Sequence, residues 1–381
     1  MKAQFRKNRM ITLLLTHDCN LRCRYCYVRE YKSCSMSTET AKKVIAASFE
    51  EAKGFYDCLE FVFLGGEPLM LCRKVMEVAE WVWAQEWATP YLLSAVTNGT
   101  LLDEQNKEWF AKNKERFILC LSYDGTQSAQ NINRSGSDSL IDIGFFIHNW
   151  PGQGLKMTIS EESVPYLAES IIALQEKGVR ANTSFAGGVP EWEPGSLDIL
   201  RKQLDILADY YLEHAEATPS NLLSINLLPV LEDRKFMRAG CGLGESRITY
   251  DWDGQRYSCH LISPLVLSKE QIQKYGQIKE HGQIKGYEQV GTRCGEMNNH
   301  LCEECSLDGI CPVCTGNSIR LFGKPDCREK SSCKTFKIQV MSACRYQLRA
   351  ILKDPILNSS QIGSSEKYRI KAIKYIMESI S

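Results

Sequence analysis

Three thiols fall within one short run, Cys19-Asn-Leu-Arg-Cys23-Arg-Tyr-Cys26, directly after the apolar stretch Ile11 to Leu15. At this CX3CX2C spacing they suit three irons of a 4Fe–4S cubane and leave the fourth iron without a protein ligand. An iron with an open position is what a substrate-binding cluster needs. A structural zinc site normally uses four ligands, and no further His or Cys stands at zinc-ribbon spacing beside these three.

A second block lies far downstream. It reads Cys241-X12-Gly254-X4-Cys259, then Cys302-X2-Cys305-X5-Cys311-X2-Cys314, then Cys327 and Cys333. Seventeen cysteines in 381 residues, clustered and without a signal peptide, do not fit a small secreted disulfide scaffold and point to metal binding. The isolated Cys34, Cys58, Cys72 and Cys120 read as small buried hydrophobes. Lys+Arg and Asp+Glu are equal at 46 each, so no global field favours nucleic acid or an anionic membrane as a partner. No apolar run near the start is long enough to span a bilayer, and the expected location is the cytoplasm.

The elements that must position these thiols follow from periodicity. Strands are expected at 11–15, 58–66, 92–99, 117–125, 155–159 and 181–185. Helices are expected at 37–52 with Ser37 as N-cap, and near 75–87, 102–114 and 164–177. Repeated βα alternation of this kind implies an α/β fold, a parallel sheet with outer helices, and about six units make a partial (β/α)6 version of the eightfold TIM-like barrel. GGVPEWEPG (187–195) breaks the pattern, and a long helix is expected at 196–216. Residues 241–333 show little periodicity, as where metal rather than a core sets the fold. Residues 368–380 form an amphipathic helix expected to pack on the barrel. The division is 1–235 for the barrel with its helical connection, 236–340 for the Cys-rich domain and 341–381 for a helical tail.

The run CX3CXΦC, with Tyr25 as its aromatic, resembles the signature of radical S-adenosylmethionine enzymes. Gly65-Gly66-Glu67-Pro68, at the end of the second expected strand, resembles the GGEP motif that contacts the methionine amino group. Two glycines there let backbone approach a ligand closely, and Glu67 offers an acceptor for an ammonium. Thr97-Asn98-Gly99-Thr100 resembles a further strand-end motif of the family. Ser122-Tyr123-Asp124-Gly125 followed by Arg134 is similar to the SxDG…HDxxR stretch of peptide-modifying members, with Gln130-Asn131 in place of His-Asp. By that resemblance Ser122 and Arg134 hold the methionine carboxylate, Arg134 through its planar fork.

The second block resembles the SPASM extension, with the Cys311–Cys314 interval one residue short. That resemblance implies two auxiliary 4Fe–4S clusters, three in all with the first. One uses Cys241, Cys259 and Cys314. The other uses Cys302, Cys305, Cys311 and Cys333, with Cys327 as the alternative. No cysteine stands in LEDRKFMRAG (231–240), so the first auxiliary cluster is expected to keep an open iron or to take Cys294, Cys327 or substrate as a ligand. The resemblance implies an oxidoreductase that cleaves S-adenosylmethionine and matures a ribosomally made peptide by a thioether or carbon-based crosslink. Its reductant is a flavodoxin or ferredoxin. The strand pattern begins at Met10, so the leader is expected to be bound either by a separate leader-recognition protein or by the SPASM surface and tail. The alternative is an anaerobic sulfatase-maturing, formylglycine-forming enzyme. That family has an Asp directly after the Cys of the GX4C element, where this chain has His260. A non-catalytic iron–sulfur electron carrier is the third reading, and it has no need of a methionine site.

Overall fold

A computed structural model describes residues 7–231, 241–276, 305–307, 309–312, 314–325, 327, 329–353 and 363–380. Cys294, Cys302 and the stretch 232–240 lie outside the described residues.

Four strands, β1 (Asn8–Leu14), β2 (Cys58–Leu64), β3 (Tyr91–Thr97) and β4 (Phe117–Leu121), pair in sequence order and all in parallel. Strands β5 (Leu155–Ile159) and β6 (Ala181–Phe185) form a second parallel pair. A parallel bridge between Ser122 and Lys156 joins β4 to β5, and the Tyr123 N–H donates to Lys156 O at 2.8 Å. The result is the expected six-stranded partial barrel. Phe61, Phe63, Leu93, Phe117 and Leu119 are fully buried, and Phe63 stacks on Phe117 at 5.8 Å.

Helices close the outside. Helix α1 (Thr38–Ala52) starts where Ser37 caps it, its side chain accepting from the Thr40 N–H. Helix α2 (Cys72–Trp83) begins earlier than its periodicity indicates, because a 3-10 turn at Pro68–Leu71 leads into it. The Glu67 carboxylate caps that turn by accepting from Leu69 N–H, and Pro68 sits at its first position. Then come α3 (Glu104–Lys112), α4 (Gln127–Asn133), α5 (Ile143–Asn149), α6 (Leu167–Glu176) and α7 (Pro194–Glu213).

The second half departs from expectation in one respect that matters. Strand β7 (Arg247–Tyr250) pairs in parallel with the free edge of β1, Met10 opposite Arg247 through Leu13 opposite Tyr250. A short antiparallel partner, β8 (Arg256–Tyr257), completes a hairpin. This stretch was expected to lack regular structure. Strands of four and two residues are too short to show a period, although Asp253-Gly254 between them is a hairpin signal. So a strand beyond residue 236 extends the barrel's own sheet. Helix α8 (Lys269–Tyr275) follows. Helices α9 (Thr315–Phe322), α10 (Lys330–Lys353) and α11 (Ser364–Ile380) complete the chain, and position 340/341 falls inside α10. The tail helix α11 does not pack on the barrel: Ala372, Ile373 and Ile376 are buried with Leu227, Phe336, Val340 and Ile351 in a separate apolar core. Among the described residues no helix is long and apolar enough to cross a membrane. Of the four isolated cysteines, only Cys72 is buried; Cys34, Cys58 and Cys120 are half-buried.

Candidate iron–sulfur and cofactor site

The first cysteine loop runs from the end of β1 and is clasped from two sides. On one side lies the Gly65–Pro68 turn that ends β2. Gly66 N–H donates to Thr16 O at 2.9 Å and Glu67 N–H to Asp18 O at 2.9 Å. A side chain at Gly66 would put its Cβ 2.0 Å from Asp18 O and 3.1 Å from the Cys19 Cβ, so only glycine lets the cysteine loop lie this close. On the other side lies the end of α4. Arg24 N–H donates to Asn133 O at 2.9 Å, and Arg22 N–H to Ser135 Oγ at 3.0 Å. Ser135 has φ of 56°, the one left-handed residue other than glycine among the described residues.

Two donors point at the Cys19 sulfur, the Leu21 N–H at 3.4 Å and Asn98 Nδ2 at 3.9 Å. Burial pushes the Cys19 thiol above its ordinary pKa, and pushes Cys23 up to about 11 with the charges of Cys26 and Cys19 adding to it against Arg134. The three sulfurs are thus within electrostatic reach of one another. Among the described residues, no three His, Cys, Asp or Glu side chains converge as one metal ion requires. A cubane asks for something else: each thiolate takes a different iron, and N–H groups directed at sulfur tune the cluster. The donors present fit that group.

Glu67 is 1% exposed, and burial pushes its carboxyl up to about 7. It accepts from Asn98 N–H at 2.7 Å, Leu69 N–H at 3.0 Å and the Thr97 hydroxyl at 2.8 Å. Its visible work is to tie the β2 turn to the end of β3. Asn98 in turn donates to Asn20 Oδ1 at 2.9 Å, inside the cysteine loop.

Asp124, also 1% exposed, is the hub of the far side. It accepts from the Tyr25 hydroxyl at 2.6 Å, Asn133 Nδ2 at 3.1 Å, Arg134 Nη2 at 3.1 Å and Thr158 N–H at 2.9 Å. Arg134 Nε lies 3.0 Å from Asp124 Oδ2 but is poorly aligned, so this side of the fork is an ion pair without a good hydrogen bond. The guanidinium also sits 5.3 Å from the Tyr25 ring centre. Arg134 therefore already has a protein carboxylate. Ser122 N–H donates to Thr97 O at 2.8 Å, which sets this residue beside the Asn98 turn. Gln130 and Asn131 close the segment upon itself: Gln130 Oε1 accepts from Asp124 N–H at 2.8 Å and Asn131 Oδ1 from Asp138 N–H at 2.9 Å.

The structure thus brings Cys19, Cys23, Cys26, Tyr25, Gly65–Pro68, Asn98, Ser122, Asp124 and Arg134 to one end of the barrel, at the carboxyl ends of β1 to β4. It also supplies a pair that sequence reasoning missed. His17 Nε2 lies 2.7 Å from Asp251 Oδ1, both side chains buried, joining the root of the cysteine loop to the β7–β8 hairpin. The His17 N–H points at Cys34 Sγ, 3.3 Å away.

Cys241, Cys259 and Cys314 form a second group. Burial pushes Cys259 up to about 11, with Cys314 and Cys241 within electrostatic reach of it and of each other. Cys314 caps α9. Cys305 and Cys311 lie instead against the C-terminal helical core, and Cys333 is in the first turn of α10. Cys327 O accepts from the Ser318 hydroxyl in α9. His260, next to Cys259, is half-buried, and desolvation pushes its ring down to about 4, so it is neutral near pH 7.

A family description of a 4Fe-4S single cluster domain matches residues 8–137. Against solved structures, native anSMEcpe with bound AdoMet and Cp18Cys peptide superposes with a TM-score of 0.65 at 17% identity, covering 90% of this chain and 99% of that one. Streptococcus suis SuiB bound to precursor peptide SuiA gives 0.53 at 17%, covering 86% and 76%. The chain has the radical S-adenosylmethionine enzyme fold. Among curated relatives with this fold's motifs, the cysteine-type anaerobic sulfatase-maturating enzyme of Clostridium perfringens is 32% identical over 128 residues, which is 30% of this chain and 32% of that relative. The chain thus matches about a third of that relative's length. The radical SAM cyclopropyl synthase TigE of Paramaledivibacter caminithermalis is 21% identical over 357 residues, 87% of this chain and 72% of TigE.

Proposed function

We propose that this chain is a radical S-adenosylmethionine maturase acting on a peptide or protein. The observation that carries the reading is the doubly clasped loop of Cys19, Cys23 and Cys26 at the carboxyl end of a parallel barrel, the end at which such barrels do chemistry. A 4Fe–4S cluster held there, with S-adenosylmethionine, supplies reductive cleavage of the sulfonium and a 5′-deoxyadenosyl radical that takes a hydrogen atom from the substrate. The chain's residues orient that chemistry. Gly65 and Gly66 bring backbone up to the cysteine loop, Glu67 locks their turn to Asn98, and Asp124 fixes Tyr25 and Arg134 as one wall. Arg134 and Ser122 would hold the methionine carboxylate, Arg134 while also paired with Asp124, and Glu67 would accept from the ammonium.

Cys241, Cys259 and Cys314 hold one auxiliary cluster; Cys302, Cys305, Cys311 and Cys333, or Cys327 in its place, hold the other. A flavodoxin or ferredoxin primes the first cluster, and a separate protein presents the substrate's leader. The test is anaerobic reconstitution with dithionite and S-adenosylmethionine. Wild type produces 5′-deoxyadenosine and Cys23→Ala does not; persistence in the variant sinks the reading. Iron near about 12 per chain fits three cubanes, whereas about 4 would remove the auxiliary clusters.

The breadth of the TigE alignment supports a carbon-based bond as the product. The 32% identity over 128 residues to the cysteine-type anaerobic sulfatase-maturating enzyme supports the second reading, formylglycine formation. His260 counts against it, since a half-buried neutral imidazole stands where that family has an Asp. A peptide that loses two hydrogens and shows no hydrazide-reactive carbonyl is crosslinked; one that gains a hydrazide-reactive aldehyde carries formylglycine.

A further inference from the structure

Two aromatic rings connect the two cysteine groups. Tyr27 follows Cys26 directly in the chain, and His260 follows Cys259. Their rings meet with centroids 5.5 Å apart at 48°. His260 Nδ1 also lies 3.7 Å from the Cys259 sulfur. From Cys26 to Cys259 the path therefore runs along the chain from Cys26 to Tyr27, across one ring contact, and over one contact to sulfur.

The contact is held on both flanks. Tyr27, Val28, Cys259 and Leu261 pack with Leu14, Ile262, Leu265 and Ile319 in one apolar seam. The Arg29 N–H donates to Leu265 O at 3.0 Å. Gly316, two residues after Cys314 in the first turn of α9, approaches so closely that an added Cβ would stand 2.5 Å from the Leu261 Cβ. Arg320 from the same helix donates to Gly187 O at 2.8 Å and is within electrostatic reach of both Cys26 and Cys314. The first group and the Cys241/Cys259/Cys314 group thus share one wall, and the rings of Tyr27 and His260 sit in it.

We infer that the Tyr27–His260 ring contact is the electron path between the first cluster and the auxiliary cluster at Cys241, Cys259 and Cys314. The inference rests on the cluster assignments proposed above. Its electron balance closes with S-adenosylmethionine as the oxidant. Cleavage of the sulfonium takes one electron from the first cluster, and the deoxyadenosyl radical takes one hydrogen atom from substrate. When the substrate radical closes its new bond it releases a proton to solvent and one electron to the auxiliary cluster. That electron passes through the two rings and restores the first cluster, so an external reductant is needed only for priming.

The test uses the reconstituted full-length protein and needs no substrate. The oxidised protein is mixed with less than one equivalent of dithionite, and freeze-quench EPR follows the unpaired electron between the two centres, S-adenosylmethionine marking the spectrum of the first. Tyr27→Leu and His260→Leu slow this transfer several-fold at unchanged iron content and unchanged midpoint potentials. Tyr27→Phe and His260→Phe, which keep a ring, retain the wild-type rate. A wild-type rate in either leucine variant at full iron content overturns the inference. So does a slowing that is matched by a shifted midpoint potential, since the rings would then tune a cluster rather than carry the electron. If Tyr27→Leu loses iron, His260→Leu carries the test, and the reverse. A wild-type protein with a single EPR-active cluster removes the auxiliary assignment itself, a failure distinct from that of the path.

Discussion

Asp124→Asn isolates the wall beside the first cysteine loop. The substitution keeps the side chain's shape. It removes the carboxylate that is ion-paired with buried Arg134, which is 7% exposed. It also misplaces a donor. Oδ1 takes Arg134 Nη2 and the Thr158 N–H, while Oδ2 takes the Tyr25 hydroxyl and Asn133 Nδ2. Whichever way the amide turns, its NH2 faces two donors. Breaking a buried ion pair on one side costs about 3–5 kcal/mol, because the remaining charge is left without compensation. For 381 residues, an unfolding entropy of about 2.1 cal/mol/K per residue gives roughly 0.8 kcal/mol/K, so the melting temperature falls by about 4–6 °C. Glu162→Gln is the control. It removes the partner of Arg24 from a pair whose side chains are 59% and 46% exposed, worth less than about 1 kcal/mol and so about 1 °C. Calorimetry of the iron-loaded proteins measures both. An Asp124→Asn melt no lower than that of Glu162→Gln would refute the claim that Asp124 is the hub of this wall.

Glu67 makes stability depend on pH. Its carboxyl is raised from 4.5 to about 7 by burial, so the fold keeps a proton that the unfolded chain has lost. Stability therefore declines as pH rises from 4.5 to about 7 and is level above, a change of about 3 kcal/mol that Glu67→Gln abolishes in urea unfolding across this window. Equal pH slopes for the two proteins would contradict it. Gly66→Ala forces a Cβ to within 2.0 Å of Asp18 O, and backbone cannot give way as a flexible side chain does. It costs at least about 2 kcal/mol and lowers iron uptake at Cys19, Cys23 and Cys26, read as absorbance and iron per chain. Gly195→Ala, where an added Cβ meets nothing within 4 Å, is neutral or stabilising by up to about 1 kcal/mol, since the position is helical.

What the sequence made legible was whatever repeats or sits close in the chain. The strands β1 to β6 carry enough apolar residues to show themselves, and their order followed from βα alternation. Gly65 to Pro68 was legible because two glycines and a proline leave few structures open to a turn. The start of α2 was not, since it depends on the Glu67 side chain capping the turn that leads into it. The partner of Arg134 was not read either. Asp124 was taken with Ser122 as part of a cofactor motif, and its four buried donors emerge only when α4, β5 and the cysteine loop are brought together. His17 and Asp251 stand 234 residues apart, and nothing local announces that they meet.

That last pair bears on how the two halves act together. Domains joined by a linker and a small interface move relative to one another as a default. Here the connection is a backbone ladder: β7 lies against β1 over the register from Met10–Arg247 to Leu13–Tyr250. One strand continues into the Cys19 loop, the other into Asp251 and the hairpin that leads to Cys259. The His17–Asp251 bond then clamps the two exits just beyond the ladder. A swing of the second half away from the first would have to break this strand pairing and the buried His17–Asp251 bond together. A fixed spacing between Cys26 and Cys259 is what passage of an electron through ring contact requires, because such contact is lost with small displacements. The parallel β1–β7 pairing, absent from any reading of the cysteine spacings, is the element that makes such a fixed spacing possible.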